Sequence, residues 1–402
     1  MRILYVTESF PYPLTSGVLR HYHLIRELAV RHRITLLSLV PTGWSRDNAQ
    51  AMAGTTELLE TFPASIGGSR LNKAAARLAG FVGGEPAARR LADRARKLHD
   101  QEPFAGVILT GKRTFPVAGA LGGTPLVADL CDATSARLAG AVRFAPAGRL
   151  PALLTEYAAT RVAERHLIGA ADELVFVSER DRRLLMGHHP GARETVVPNG
   201  VDTAYWRRTS STLGRDEVLF TGAMDYPPNV DAALFLIRKV MPIVRQRRPA
   251  ARLSIVGRDP VAALRREASS VVRVTGTVPD MRPYLGSAAV FAAPLRFGVG
   301  MQNKIVEAMA MEVPVVTTPL VADGVRSSGT SAPIAVARTA QEVAACIVDF
   351  LDRAAGGSPP DTDARAYVED HFRWPISAAA VEAIVERAAQ RRRVSSKASV
   401  AR

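Results

Sequence analysis

A glycine-containing loop followed by a helix with a lysine and a glutamate is the part of this chain best equipped for chemistry. The apolar run at 288–294 predicts a buried strand, after which Gly298 and Gly300 precede a helix carrying Lys304 and Glu307. Glycines let the backbone approach a ligand, and amides at a helix N-terminus attract anions. Lys304 adds a point charge for phosphate, and Glu307, one turn later, can accept hydrogen bonds from sugar hydroxyls. The pattern favours a nucleoside diphosphate sugar over bare phosphate; the alternative is a surface ion pair.

Alternating strand and helix patterns must position this loop. Such alternation predicts parallel sheets with helices on both faces, and it starts afresh after residue 202. We therefore expect an α/β protein with two doubly wound, Rossmann-like domains that face each other across a cleft. The predicted strands are 3–7, 34–40, 107–110, 126–129, 174–178, 218–221, 253–256, 271–274, 290–293 and 313–317, and helical periodicity marks 18–29, 230–245 and 375–392.

Glycine-bearing loops follow several of these strands. Gly17 follows the first strand, and Gly222 and Gly257 follow the first two strands of the second half. In open α/β sheets a ligand binds beyond the carboxyl ends of the strands. The sequence therefore predicts that these glycines and the 298–304 loop belong to ligand sites.

The chain is basic, with a net charge of +14 over 402 residues. Basic residues concentrate at 70–97 and after residue 387. The first group resembles an amphipathic surface for an anionic membrane, although a solvated helical face explains it at least as well. Nucleic-acid binding is not expected, because the sequence offers no aromatic platform and no known module.

Other sequence features limit the class of protein. No apolar run is long enough to span a bilayer, and the first residues lack a signal-peptide core. We expect a cytoplasmic protein, with peripheral contact at the inner membrane face as an option. Cys131 and Cys346 lie far apart in apolar stretches of the sequence, so we expect both to be reduced residues of the core. The two carboxylates of 361–363 follow prolines in a linker, so we expect them to be solvated. No metal and no cofactor is predicted.

A series of short motifs covers nearly the whole chain in a specific order. They are VPNGVD at 197–202, VLFTG at 218–222, SIVG at 254–257, VTGTVPD at 274–280, Pro294, and the segment 304–314. In this order and spacing they resemble glycosyltransferases of the GT-B fold, specifically the large retaining group called family 4. The run FTGAMDYPPN at 220–229 is particularly similar to a branch associated with bacterial exopolysaccharide loci.

The resemblance implies transfer of a sugar from a nucleoside diphosphate donor to an unidentified acceptor hydroxyl, without a metal and with the anomeric configuration retained. By position, Glu307 would bind the donor ribose, Val278 would lie beside the base, and Gly17 would close over the phosphates. The implied catalytic residues are Lys304, Glu307 and Gly17. The implied donor-binding residues are Gly222, Gly257, Val278, Gly300, Met301, Gln302, Asn303, Lys304 and Glu307.

The resemblance also implies a division into domains. Residues 1–198 would form the acceptor-side domain, and residues 199–372 would hold the donor. Residues 373–402 would form a returning helix with a basic tail. The pathway expected from the resemblance is polysaccharide, glycolipid or natural-product assembly.

Several positions depart from the family pattern. The first of two glutamates that flank the glycine loop falls on Val299, and the usual arginine and lysine of the second domain fall near Ala223 and Asn229. Lys304 and Arg296 are the available replacements for that charge.

The first domain also departs from the pattern. A histidine common after a middle strand is absent from the corresponding segment, residues 109–113. Lys112 or Asp129 is a candidate to take the place of this histidine. An ordinary surface or capping role explains each of them equally well. These departures keep two alternatives open, a nucleotide-sugar epimerase on the same scaffold and a non-catalytic protein that binds nucleotide sugars.

Overall fold

The computed structural model describes the chain with interruptions. The described ranges are 1–14, 17–64, 85–142, 147–188, 191, 193–209, 213–298, 300–327 and 329–400. The chain divides into two compact units. Unit one combines Met1–Pro198 with Trp374–Arg402, and unit two is Asn199–Arg373.

Unit one contains a seven-stranded parallel sheet with the order β3-β2-β1-β4-β5-β6-β7. Residues alternate between its two faces, so that Leu4 and Val6 belong to one hydrophobic core and Ile3 and Tyr5 to another. Both faces are therefore covered, as parallel sheets require. The strands are β1 (Arg2–Thr7), β2 (Arg33–Pro41), β3 (Leu58–Ala64), β4 (Gly106–Thr110), β5 (Leu126–Asp129), β6 (Glu173–Phe176) and β7 (Glu194–Val196).

Helices cover this sheet, and the C-terminal helix Trp374–Val400 returns to pack in unit one. Its first residue, Trp374, is buried and stacks on His23 with the ring centroids 4.6 Å apart. This contact anchors the start of the returning helix in unit one. The remaining helices are α1 (Leu19–Ala29), α2 (Pro86–Gln101), α3 (Pro116–Ala120), α4 (Thr134–Val142), α5 (Leu150–Ala170) and α6 (Glu179–Met186), with short 3₁₀ turns at Arg46–Met52, Lys112–Thr114 and Ala147–Arg149.

Unit two contains a six-stranded parallel sheet with the order β10-β9-β8-β11-β12-β13. In both sheets the direction of strand addition reverses once, between β1 and β4 in unit one and between β8 and β11 in unit two. Such reversals are where doubly wound sheets bind ligands. The strands are β8 (Glu217–Thr221), β9 (Arg252–Val256), β10 (Val272–Val274), β11 (Val290–Ala293), β12 (Val315–Thr317) and β13 (Ala335–Val336).

The helices of unit two begin where the sequence supplies suitable caps. Thr339 accepts a hydrogen bond from the amide of Glu342, and Asp361 accepts one from the amide of Ala364. Asp361 is thus a helix cap rather than a solvated linker residue. The helices are α7 (Pro227–Phe235), α8 (Met241–Arg247), α9 (Ala262–Arg265), α10 (Arg282–Ser287), α11 (Asn303–Ala310), α12 (Pro319–Gly324), α13 (Ala340–Ala355) and α14 (Thr362–His371), with a π-helical turn at Leu236–Val240.

The predicted fold class is confirmed, since both sheets are parallel and have flanking helices. All ten predicted strands are present within a few residues of the expected bounds, whereas β3, β7 and β13 were missed. The predicted helix at 230–245 is interrupted by the π-helical turn. The basic residues at 70–84 and Val299 lie outside the described residues.

Basic residues from both sequence clusters, 70–97 and the segment after residue 387, have partners within unit one. Arg391 and Arg392 of the C-terminal helix lie 2.8 Å and 2.7 Å from the carboxylates of Glu173 and Asp172. Arg94 on α2 pairs with a glutamate of β3 at 2.7 Å. Within the described ranges, no helix is both long and apolar enough to cross a membrane.

Candidate functional site

The site in unit two lies at the reversal between β8 and β11. The register pairs Val290 with Val218 and Phe291 with Leu219, so both strands end at the same edge of the sheet. This arrangement brings Gly222, which follows β8, close to the loop that follows β11. These glycine-bearing loops therefore lie at the carboxyl edge of the unit-two sheet, and their part in a ligand site stays a prediction.

Close backbone packing explains two of the glycines. Gly222 and Gly257 have φ angles of 156° and 152°, a region that side chains disfavour. A Cβ on Gly257 would lie 1.7 Å from the carbonyl oxygen of Gly222, and a Cβ on Gly222 would lie 2.9 Å from the Nζ of Lys304. Only glycine therefore fits at either position.

Lys304 is held directly beside these glycines. It is half-buried in the first turn of α11, and its Nζ donates a hydrogen bond of 2.6 Å to the Oδ1 of Asn229. The same ammonium lies 4.8 Å from the ring centroid of Phe220. Asn229, which itself donates 2.9 Å to the carbonyl of Ala223, occupies the region where the family pattern places a basic residue. In the structure, Asn229 is therefore the hydrogen-bond partner of Lys304.

Burial perturbs both titratable groups on α11. It lowers the pKa of Lys304 to about 7, while the carboxylate of Glu307 acts in the opposite direction. Burial likewise raises the pKa of Glu307 to about 7, against the effect of Lys304. Both side chains are half-buried, and no ion pair joins them among those of the described residues. The surface ion-pair alternative is therefore wrong. An anionic ligand would restore the charge of the ammonium.

The N-terminus of α11 presents amides toward the same edge. Gln302 stands at the cap position without a capping side-chain bond, and the carboxamide Oδ1 of Asn303 accepts from Asn199 at 3.0 Å. Gly300 has a φ of 76°, and Met301 is buried. In the described backbone hydrogen bonds, none is donated by the amides of Asn303 or Lys304. A helix start of this kind can bind an anion.

The remaining unit-two predictions have different outcomes. Val278 is half-buried in the loop after β10, and the amide of Gly257 donates 3.2 Å to the carbonyl of Gly276 in that loop. Arg296 is 54% exposed and pairs with Asp231. It is therefore unsuited to replace the missing basic residues.

Gly17 and Lys112 belong to unit one. Gly17 is exposed, and a Cβ there would meet no atom within 4 Å, so local packing does not require a glycine. The Nζ of Lys112 donates to the carbonyls of Leu130 and Asp132 at 3.1 Å each and to the hydroxyl of Thr134 at 2.7 Å. This ammonium therefore holds the loop after β5, and the role of Lys112 as a substitute for the family histidine stays a prediction.

A buried polar cluster in unit one was not predicted as a unit. The Nε of Arg20 donates 2.7 Å to Asp129, and its Nη1 donates 2.9 Å to the carbonyl of Val197. The Nδ1 of His21 lies 3.2 Å from the hydroxyl of Tyr5. Burial lowers the pKa of His21 to about 4, opposed by the charge of Asp129 and reinforced by that of Arg20. The sequence signals for this cluster were Asp129 at the end of a predicted strand and an Arg–His pair shortly after the glycine loop.

The two parallel, doubly wound sheets have the fold of GT-B glycosyltransferases. Residues 215–353, which lie within unit two, match the family described as Glycosyl transferases group 1. Unit two therefore carries a glycosyltransferase group 1 domain. Among curated proteins, none matches this chain in sequence.

Solved structures share the fold along most of the chain. HepE from Anabaena, in complex with UDP, has 15% identity and a TM-score of 0.67, with 96% of this chain and 100% of HepE covered. Sucrose-phosphate synthase from Thermosynechococcus elongatus has 13% identity and a TM-score of 0.65, with 96% and 99% covered. TarM has 9% identity and a TM-score of 0.66, with 96% and 98% covered. At these identities the likeness shows the fold.

Proposed function

We propose that this protein transfers a sugar from a nucleoside diphosphate donor to an acceptor hydroxyl with retention of configuration. The observation that carries the proposal is the ammonium of Lys304, which lies beside Gly222 at the reversal of the unit-two sheet and at the start of α11. A diphosphate is the ligand class that such a combination of ammonium, close backbone and helix amides fits best.

The proposed donor site extends from this anion-binding corner. Glu307, one turn further along α11, would accept hydrogen bonds from the ribose, and Val278 would lie beside the base. The amides of 300–303 would face the diphosphate. HepE has been solved with UDP-glucose, which supports a uridine donor as the first ligand to test.

The chemical step needs stabilisation of the departing diphosphate. Negative charge develops on that group as the sugar–phosphate bond breaks, and preorganised donors aimed at it are usually the largest catalytic contribution, about 10²–10³ in rate for one donor. Lys304 and the start of α11 would supply this contribution without a metal ion. The departing phosphate would accept the proton of the acceptor hydroxyl, which is compatible with retention. The role of Gly17 near the phosphates stays a prediction.

The activity test incubates the full chain with UDP-glucose in the presence of EDTA and follows UDP release. Transfer or slow hydrolysis, with an α-configured product by NMR, supports a retaining transferase. Isomerised donor would support the epimerase instead, and binding without UDP release would support a non-catalytic binding protein. Loss of turnover in EDTA, restored by a divalent ion, would overturn metal independence.

The acceptor class belongs to the proposal as well. Polysaccharide, glycolipid and natural-product acceptors are all compatible with the site, and a lipid-linked acceptor would place the protein on an anionic membrane. Flotation with vesicles that contain anionic lipid tests this point against neutral vesicles. Equal flotation with both compositions would remove the proposed membrane contact.

A further inference from the structure

Three potential metal ligands converge at the carboxyl end of β5 in unit one. His21 comes from α1, Asp129 is the last residue of β5, and Cys131 follows two residues later. The Sγ of Cys131 lies 3.8 Å from the Nε2 of His21 and 3.6 Å from the Oδ1 of Asp129. One ligand atom from each residue lies within 4.8 Å of the other two. His21 and Asp129 are 7% and 2% exposed.

The two separations that involve the sulfur match the edges of a tetrahedral site. Zinc lies about 2.3 Å from a thiolate sulfur and about 2.0–2.2 Å from an imidazole nitrogen or a carboxylate oxygen, so each sulfur-containing edge measures about 3.6 Å. Both sulfur-containing edges in the cluster are close to that length. Little movement of Cys131 relative to its neighbours is therefore needed to accept an ion.

Neighbouring polar side chains orient two of the three ligands, as the hydrogen-bond partners of metal ligands usually do. With Nε2 directed at the ion, the Nδ1–H of His21 can donate to the hydroxyl of Tyr5, 3.2 Å away. The Oδ2 of Asp129 accepts a hydrogen bond of 2.7 Å from Arg20, so Oδ1 is the oxygen that faces the sulfur of Cys131. Ligating histidines and carboxylates usually have such partners, and the partners define which atom faces the metal.

The backbone at Cys131 is an independent observation. Its φ is 53°, a left-handed conformation that residues other than glycine rarely adopt. The amide of Cys131 donates 3.3 Å to the Oδ1 of Asp129, and in this turn the sulfur is directed at the same carboxylate. Unfavourable backbone conformations of this kind concentrate at functional sites.

We propose that His21, Asp129 and Cys131 bind one divalent ion of the zinc class, with a solvent molecule or hydroxide in the fourth position. Binding forms bonds from the ion to Nε2, Oδ1 and Sγ and releases the thiol proton to solvent, and a hydroxide in the fourth position releases a second proton from its parent water. The thiolate, the carboxylate and a hydroxide together balance the ion and the Arg20 guanidinium. This site lies in unit one, and none of its three ligands is among the residues proposed to bind the donor.

The test uses Co²⁺ as a spectroscopic probe of the full-length, EDTA-treated protein. A thiolate ligand produces a sulfur-to-cobalt charge-transfer band in the near ultraviolet. We expect this band to saturate at a single equivalent of Co²⁺ and to disappear when Zn²⁺ is added. The melting temperature should rise with free metal concentration, because an ion bound only by the folded state stabilises it.

Cys346, the other cysteine, supplies the matched control. Cys131→Ser should abolish the band, whereas Cys346→Ser should retain it in full. His21→Gln should weaken Co²⁺ binding by at least tenfold, and the unliganded melting temperature of each variant establishes that it folds. Absence of the band in the wild-type protein, or its survival in Cys131→Ser, would overturn the proposal.

Discussion

Replacing Lys304 by methionine tests the anion site most directly. Methionine keeps the length and the apolar contact with Phe220 but removes the charge that Asn229 now holds. A hydrogen bond to a charged group contributes about 1.5–3 kcal/mol. Since about 1.4 kcal/mol corresponds to a tenfold change in affinity, the Kd for UDP should rise about 10- to 150-fold. Turnover should fall at least as much.

The burial of Lys304 also predicts how UDP affinity depends on pH. Its pKa is lowered to about 7 in the free protein, and a bound diphosphate raises it, so binding takes up a proton above pH 7. Affinity should be flat below pH 7 and should weaken by at most about 50-fold between pH 7 and 9. Glu307 titrates in the same range, with a pKa raised to about 7, and the Glu307→Gln variant separates its contribution.

The melting temperature of the Lys304→Met variant shows whether a loss of UDP binding comes from the lost charge or from misfolding. A lysine whose folded pKa lies below its unfolded value opposes folding while it is charged, and this cost diminishes as pH rises from about 7 toward the unfolded pKa. Lys304→Met should therefore melt at a higher temperature than the wild-type protein at pH 6, although it binds UDP less tightly.

Isothermal titration calorimetry of UDP in two buffers with different ionisation enthalpies measures affinity and proton uptake together. Lys239→Met is the matched control, because it removes the same charge from an exposed position in unit two. The control should bind UDP as the wild-type protein does. An unchanged Kd in Lys304→Met, or a wild-type Kd that is constant from pH 7 to 9, would refute this account of the site.

Three further substitutions test packing and charge in the described residues. Gly257→Ala should lower the free energy of unfolding by about 1–3 kcal/mol in urea titrations, because the added Cβ would lie 1.7 Å from a backbone atom. The control, Gly286→Ala, should not destabilise the protein, because the added Cβ would meet no atom within 4 Å. Asp129→Asn should lower the free energy of unfolding by about 3–5 kcal/mol, because it leaves a buried guanidinium without its counter-charge. Its control, the exposed Asp93→Asn, should lower the free energy of unfolding by less than about 0.5 kcal/mol. Arg296→Ala should change the Kd for UDP by less than about twofold, and it should lower the free energy of unfolding by about 0.2–1 kcal/mol because its ion pair with Asp231 is exposed. A larger loss of UDP affinity would indicate that Arg296 belongs to the donor site.

Local sequence determined most of the fold. Strands buried on both faces of a parallel sheet appear as short apolar runs, which is why β5 and β11 were predicted with their observed bounds. The edge strand β3 was missed because it is only half-buried and contains a glutamate and a proline. Lys304 and the glycines before α11 were singled out for the same reason, because they lie within a few residues of one another in the sequence.

Contacts between distant segments were decided only by the tertiary structure. Lys304 and its partner Asn229 are 75 residues apart, and Arg20 and Asp129 are 109 residues apart. No local pattern encodes these pairs, because they form where separate strands end at one edge of a sheet. The same assembly removes water from the side chains and shifts their pKa values. The sequence by itself therefore determined which groups are available for chemistry, while the packed sheets decided which of them meet and in what state of charge.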